Sequence, residues 1–170
     1  IARLLLERGW HVEVLFLGDP NTLPSDARTE YERLSARLLP SEMTDSSGAM
    51  IFETETELIV DAVFGTGLMR PLDDAVAEVL TGDLRLYREA DLGTKCVAVD
   101  IPSGLDADTG VARVAPPRGT AFKAHLTVTF HAAKPGHYLG QGPDACGKLV
   151  VRPIGLSSWS EILPPEAAGA

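Results

Sequence analysis

The sequence predicts an α/β fold with a mainly parallel sheet covered on both faces. Short apolar, β-branched runs recur along the 170-residue chain, and stretches of helical periodicity separate the early ones. The central runs are continuous enough to be buried on both sides. Strands that alternate with helices imply βαβ units, and such units imply parallel strands.

Ile1, Leu4 and Leu5 fall at i, i+3 and i+4, and Gly9 stands where a helix stops. The chain therefore reads as opening inside a helix, with no cap and no strand before it, as a truncated sequence would. Residues 12–17 (VEVLFL) form the first strand, followed by a turn-rich segment. Ser25 can cap a helix whose face carries Ala27, Tyr31, Leu34 and Leu38, and Pro40 ends it. Residues 41–49 read as a loop and 50–52 as a minor strand. The run 58–64 (LIVDAVF) is a buried strand broken by Gly65 and Gly67. A helix follows over about 72–87, with Leu72, Val76, Val79, Leu80, Leu84 and Tyr87 on its buried stripe and Gly82 as a break point. Another buried strand covers 96–101 (CVAVDI), and Pro102, Ser103 and Gly104 turn the chain. Strands at 126–130 and 149–151 are separated by Gly- and Pro-rich loops, and the PPEAAGA end reads as a linker or frayed tail.

The composition is that of an ordinary globular protein, 45% hydrophobic and 23% charged, and the length fits one domain better than two. A net charge of −9 argues against nucleic acid or an anionic membrane as the main partner. Cys96 and Cys146 form no CxxC pair and no Cys/His cluster, so no disulfide framework is expected, and Cys96 reads as a core thiol. No run approaches the ~20 apolar residues of a membrane helix and no signal peptide opens the chain, which makes the reducing cytoplasm the expected compartment.

Ligands of a parallel sheet bind beyond the carboxyl ends of its strands. Two units of the same form fall there: Asp61 with Gly65-Thr66-Gly67-Leu68-Met69-Arg70, and Asp100 with Ile101-Pro102-Ser103-Gly104. A carboxylate ending an apolar strand is costly unless paired, hydrogen-bonded or bound to a cation, and glycines after it let backbone N–H groups approach a phosphate. Each unit alone also reads as a plain turn with a local Asp hydrogen bond. Two of them in one sheet favour a site. GTGLMR is not a GxGxxG fingerprint, because Arg70 holds the third glycine position. His11 and His125 read as surface or packing residues. His131 and His137 flank Lys134-Pro135-Gly136 in what reads as a solvated loop, with a nucleotide contact as the alternative. No HExxH, zinc-spacing, GxSxG or P-loop pattern is present.

Four stretches, in order, carry a resemblance: DAVFGTGLMRP (61–71), VAVDIPSGLDADTG (97–110), LTVTFHAAKPGH (126–137) and CGKLVVRPIG (146–155). Together they closely resemble the NAD(P)H-hydrate epimerases, the YjeF-type N-terminal domain. The resemblance implies one domain over 1–156, with 157–170 as a tail. It implies a Rossmann-like three-layer α/β/α sandwich, usually a homodimer, that interconverts the R and S forms of hydrated NADH and NADPH. By position, Asp61 and Ser103 match ligands of a potassium ion. Gly65, Thr66, Gly67, Leu68, Met69, Arg70 and Pro71 match the stretch around the substrate phosphates. Asp100 matches a substrate-contacting Asp at the ring. Some relatives carry a Lys in the turn where this chain reads Met69-Arg70. The family also has an N-G-G-D-G loop just before the helix with which this sequence opens.

The damaged cofactor carries a hydroxyl on the carbon beside the ring nitrogen, and moving it to the other face needs a proton donor and acceptor. Asp100 is the carboxylate placed for that work. No redox cofactor is needed, since the nicotinamide compound is the substrate. Two rival readings are a non-catalytic nucleotide-binding or scaffold module of the same fold, as in some relatives in mRNA decapping, and a conventional NAD-dependent oxidoreductase. The missing third glycine disfavours the latter. An ADP/ATP-dependent NAD(P)H-hydrate dehydratase, fused or separate, is the expected partner.

Overall fold

The computed structural model of the chain describes residues 1–34, 37–39, 56–84, 93–116 and 119–155, which fall in two compact units, Ile1–Phe52 and Glu53–Ala170. In the first unit, α1 (Ala2–Leu6) is followed by Gly9 in the left-handed region (φ 82°) and by β1 (Glu13–Leu15). The Asp19 carboxylate accepts from Asn21 N–H and caps a 3₁₀ turn at Pro20–Thr22. Helix α2 (Ser25–Glu32) then turns Tyr31 edge-on to Phe16, ring centroids 5.3 Å apart.

This helix ends sooner than its spacing predicts. Arg37–Leu39 is a strand, β2, lying parallel to β1 with Glu13 opposite Arg37 and Leu15 opposite Leu39. Leu38 keeps the i+4 spacing of Tyr31 and Leu34, but ladder pairing with β1 overrides that weak preference. Ser25 does not cap: Pro24 occupies the cap position, with no side-chain hydrogen bond. The loop expected at 41–49 and the strand expected at 50–52 lie outside the described residues.

The second unit holds a four-stranded sheet, all parallel, in the order β3 (Leu58–Asp61), β4 (Lys95–Val99), β5 (Leu126–Phe130) and β6 (Lys148–Arg152). Helices accompany it, so the architecture is α/β and Rossmann-like. After β3, Asp73 accepts from Val76 N–H and caps α3 (Asp74–Ala77), which continues as a π-helical turn over Glu78–Asp83. Leu72 precedes this helix, its N–H bonded to Arg113 C=O. Leu72, Ala77, Val79, Leu80 and Leu84 are buried, Val76 is half-buried, and Tyr87 lies outside the described residues. Between β5 and β6 come a 3₁₀ turn at Pro135–His137 and a short helix, α4 (Gly142–Cys146).

On β4, Cys96 and Ala98 are completely buried, while Lys95 is exposed. His125 brackets this strand: its Nδ1 accepts from Cys96 N–H (2.9 Å) and its own N–H donates to Cys96 C=O (2.8 Å), which fits a packing role. Beyond β4, Ile101, Leu105, Ala121, Ala145 and Cys146 form a core cluster. Burying each of the larger of these stabilises by roughly 1.5–3 kcal/mol. Burial also pushes the Cys146 thiol up to about 11, which makes it an inert core residue, and Cys96 is a buried free thiol as well. Among the described residues, no helix is long and apolar enough to cross a membrane.

Candidate active site

Strands β3 and β4 both stop at the carboxyl edge, each for a local reason. Asp61 ends β3, opposite Ala98 of β4. Its carboxylate accepts from Val63 N–H (3.4 Å), so the chain turns away where strand pairing to residue 64 is expected. Only 2% of Asp61 is exposed. Ser103 faces it directly: the hydroxyl donates to Asp61 Oδ1 (2.6 Å) and the backbone N–H to Oδ2 (2.7 Å). The same hydroxyl accepts from Phe64 N–H (3.0 Å) and lies 3.5 Å from Phe64 C=O. Burial pushes the Asp61 carboxyl above its usual range, against the bonds from Ser103 and Val63. Among the described residues, no basic side chain bonds to it.

Ser103 reaches Asp61 because of a tight turn. Leu105 N–H bonds Pro102 C=O, and Gly104, at the third turn position, has φ 88°, the geometry of a type II turn. A Cβ there would also sit 2.9 Å from Val114 Cγ2.

Asp100 ends β4 differently. It adopts the left-handed region (φ 70°), rare for any residue but glycine, which stops the strand short of the expected residue 101. Its N–H still reaches Val128 C=O on β5 (2.8 Å). Its Oδ1 accepts from Lys134 Nζ (2.6 Å) and Thr129 Oγ1 (2.9 Å), and Lys134 also reaches Thr129 Oγ1 (2.7 Å). Partial burial works against the charged carboxylate, but the bonds from Lys134, Thr129 and Phe130 N–H outweigh it and hold the group below its usual range.

Oδ2 of Asp100 turns toward the glycine loop. A Cβ on Gly65 would lie 3.6 Å from it, while Gly67 faces open space. In the rest of that loop Thr66, Arg70 and Pro71 are exposed, and Met69 is 81% exposed. Leu68 is the exception, a buried packing residue that can offer a ligand only its backbone. Of the seven residues singled out in sequence, Gly65 lies beside Asp100, and all but Leu68 are at least partly open to contact.

Three site residues were not legible as such. Lys134 and Thr129 complete the Asp100 pair. His137, expected in a solvated loop, is 3% exposed; its Nδ1 accepts from Lys134 N–H (2.9 Å) and its Nε2 lies 2.9 Å from Asp100 C=O. Burial pushes its pKa down. The available signal was the Leu126-Thr-Val-Thr-Phe130 alternation, which puts two threonines on one face of a strand; Thr127 and Thr129 are both completely buried. His131, by contrast, is exposed.

A strap formed by 104–113 braces the site. Asp106 Oδ1 accepts from Asp108 N–H, Thr109 N–H and the Thr109 hydroxyl, while Oδ2 takes two nitrogens of Arg113. These bonds, led by those from Thr109, hold the Asp106 carboxyl at about 2. The strap crosses the 135–142 segment at glycine: Gly136 N–H bonds Ala107 C=O (2.6 Å) and Gln141 N–H bonds Gly110 C=O (2.8 Å). A Cβ at Gly110 or Gly136 would collide with the facing carbonyls.

The sequence pattern of the family described as YjeF-related protein N-terminus matches residues 1–136, from α1 through the Lys134 turn. The chain belongs to this YjeF-related family. Among similar proteins is an NAD(P)H-hydrate epimerase of Roseobacter litoralis, 36% identical over 92% of this chain and 70% of its own length. An NAD(P)H-hydrate epimerase of Weissella koreensis is 33% identical, over 95% of this chain and 66% of its own. A bifunctional NAD(P)H-hydrate repair enzyme, Nnr, of Moorella thermoacetica is 35% identical over 92% of this chain, which spans only 28% of that protein. The crystal structure of yeast ynu0 superposes with a TM-score of 0.59 at 15% identity, over 89% of this chain and 58% of that one. That likeness places the YjeF-related chain in the same fold.

Proposed function

We propose that this chain is an isomerase that interconverts the R and S forms of hydrated NADH and NADPH, with residues 1–156 acting as one domain and 157–170 as a tail. The observation that carries the proposal is the Asp100–Lys134 ion pair at the carboxyl edge of a parallel sheet, with the free side of the carboxylate turned to the glycine loop. The relatives' printed activity supplies the substrate class.

The chemistry asks for a charge pair of this kind. The substrate hydroxyl leaves with a proton as water, and the ring-nitrogen lone pair supports the cation left behind. Water then adds to the opposite face and surrenders a proton. The C–O bond broken and the bond formed are equivalent, so no electron acceptor is needed. Lys134 is the ammonium that can give a proton, Asp100 the carboxylate that can take one, and Thr129 fixes both. Gly65 through Pro71 offer backbone and exposed side chains to the phosphates, with Arg70 as the positive charge.

Asp61 and Ser103 would hold a potassium ion. The donors fit: a buried carboxylate without a basic partner, a hydroxyl and the nearby Phe64 carbonyl are hard oxygen ligands carrying one negative charge, which suits a monovalent ion. A bound ion would neutralise Asp61 and tie the β3 and β4 turns together. We further propose a cytoplasmic homodimer working beside an NAD(P)H-hydrate dehydratase; the word bifunctional in the Moorella relative's name supports a second activity joined to this one.

The test follows R-to-S conversion of NADHX by the chain and by its Asp100→Asn variant. Wild type should equilibrate the two forms, and the amide should lower the rate by ~10²–10⁴-fold while the fold is kept. A variant as fast as wild type would reduce Asp100 to a turn residue.

A further inference from the structure

We propose that His137 is the positioning residue of the Asp100–Lys134 pair, clamping the backbone of both members through a neutral imidazole. The inference rests on the epimerase reading for its effect on turnover, but its geometry stands apart from it. Lys134 N–H donates to Nδ1, so the ring proton resides on Nε2, which donates to Asp100 C=O. A single buried ring thus reaches the main chain on both sides of the ion pair, while Lys134 Nζ and Asp100 Oδ1 meet across the same turn.

This clamp has something to hold. A residue with a Cβ is disfavoured at positive φ, though Asp less than most, so Asp100 is held at φ 70° by the bonds its neighbours make to it. Val128 C=O takes its N–H, and His137 takes its C=O. Ile101 N–H, in the same peptide plane, bonds only Val99 C=O (3.0 Å). Without the His137 bond that plane is held on one side, and the turn that presents the carboxylate to Lys134 and Thr129 is loosened. His137 itself is 3% exposed and both its ring nitrogens are taken by backbone groups, so its role is to position and not to exchange protons with substrate.

The clamp also fails in acid in a defined way. The charged groups facing the ring are Lys134 and Asp100, and burial with the Lys134 charge disfavours the imidazolium. Once protonated, Nδ1 would point a proton at Lys134 N–H, two donors face to face. The folded-state pKa lies below the unfolded one, so the neutral ring's stabilisation is full at higher pH and is lost as pH falls below about 6.5.

Two variants divide the clamp. In His137→Gln the side-chain amide can still donate to Asp100 C=O; in His137→Asn the shorter side chain keeps only an acceptor for Lys134 N–H. The full chain is assayed for NADHX interconversion across about pH 5 to 8, and the Asp100 carboxyl is titrated by carbon NMR in parallel. We expect Gln to retain kcat within about threefold and to lose the acid limb that the ring imposes. Asn should lose roughly tenfold or more in kcat with KM little changed, and its Asp100 carboxyl should titrate higher. If Asn does not fold, the acid limb decides: a Gln variant that keeps the wild-type limb overturns the clamp. Unchanged Asp100 titration in the folded variants overturns it as well. A wild-type chain that turns over no NADHX rejects the epimerase reading, and the NMR titration then judges the clamp alone.

Discussion

Asp61 and Asp100 end neighbouring strands of one parallel sheet, and each is followed at the fourth residue by a glycine, Gly65 or Gly104. Their surroundings are opposite. Asp61 is sealed, answered by one hydroxyl and backbone amides, and pushed toward its neutral form by burial. Asp100 is partly open, answered by a lysine and a threonine, and held in its charged form. The strand end supplies a place for an acid; the neighbours decide whether that acid is an ion in water's reach or a buried group closed in by amides and a hydroxyl. The first suits proton transfer, and the second suits joining two loops.

The sharpest way to break this contrast is to remove the lysine. Lys134→Met leaves the partial burial of Asp100 opposed only by Thr129 and Phe130 N–H, so its carboxyl should titrate higher. Turnover should fall by ~10²-fold or more. An Asp100 titration unmoved by the substitution would mean that Lys134 does not set the state of Asp100.

Asp61→Asn comes next in size and should act on stability. Ser103 and Val63 present donors to both carboxyl oxygens, and an amide leaves one of those donors facing an N–H. The cost should be about 1–3 kcal/mol, read as a lower urea midpoint at unchanged slope. The two acids also differ in sign with pH. The Asp100 contribution is present above about 3.9 and is lost as pH falls through its depressed value, whereas that of Asp61 is present below about 3.9 and is lost as pH rises through its elevated one. Potassium chloride should therefore raise Tm more than tetramethylammonium chloride does, increasingly so toward neutral pH, and Asp61→Asn should abolish the difference. Equal effects of the two salts would remove the cation from Asp61.

The smallest effect is expected at Gly65→Ala. The added Cβ meets Asp100 Oδ2 at an ordinary contact distance, so stability should change by less than about 1 kcal/mol, while KM for NADHX should rise several-fold as the loop loses its close approach. A KM equal to that of wild type would move the phosphates elsewhere.

What the sequence shows of this site follows from how locally each feature is determined. The strands at 58, 96, 126 and 149 are legible because β-branched runs bounded by glycine and proline have few alternatives. Asp61 and Asp100 are legible because an acid inside such a run is costly and calls for a reason. Lys134 is not, because a loop lysine gives no sign that a 3₁₀ turn brings its amine back to a residue 34 positions earlier. His137 reads as solvated for a related reason, since besides Lys134 N–H its ring meets Asp100 C=O, 37 positions earlier. Leu38 misleads in the opposite direction, as its helical spacing is real but pairing with β1 is stronger.

The left-handed turn at Asp100 has a consequence for timing. Its amide, carboxylate and carbonyl are held by residues lying between Val128 and His137, all downstream. A nascent chain that ends before β5 has only the Ile101 N–H to Val99 C=O bond to shape this turn, so the full set of contacts at Asp100 is installed only when that later segment docks. The same dependence runs backward in the finished protein. When the 128–137 segment opens, Asp100 relaxes while β3 and β4 remain paired, and hydrogen exchange at its amide should report that opening separately from exchange within β4.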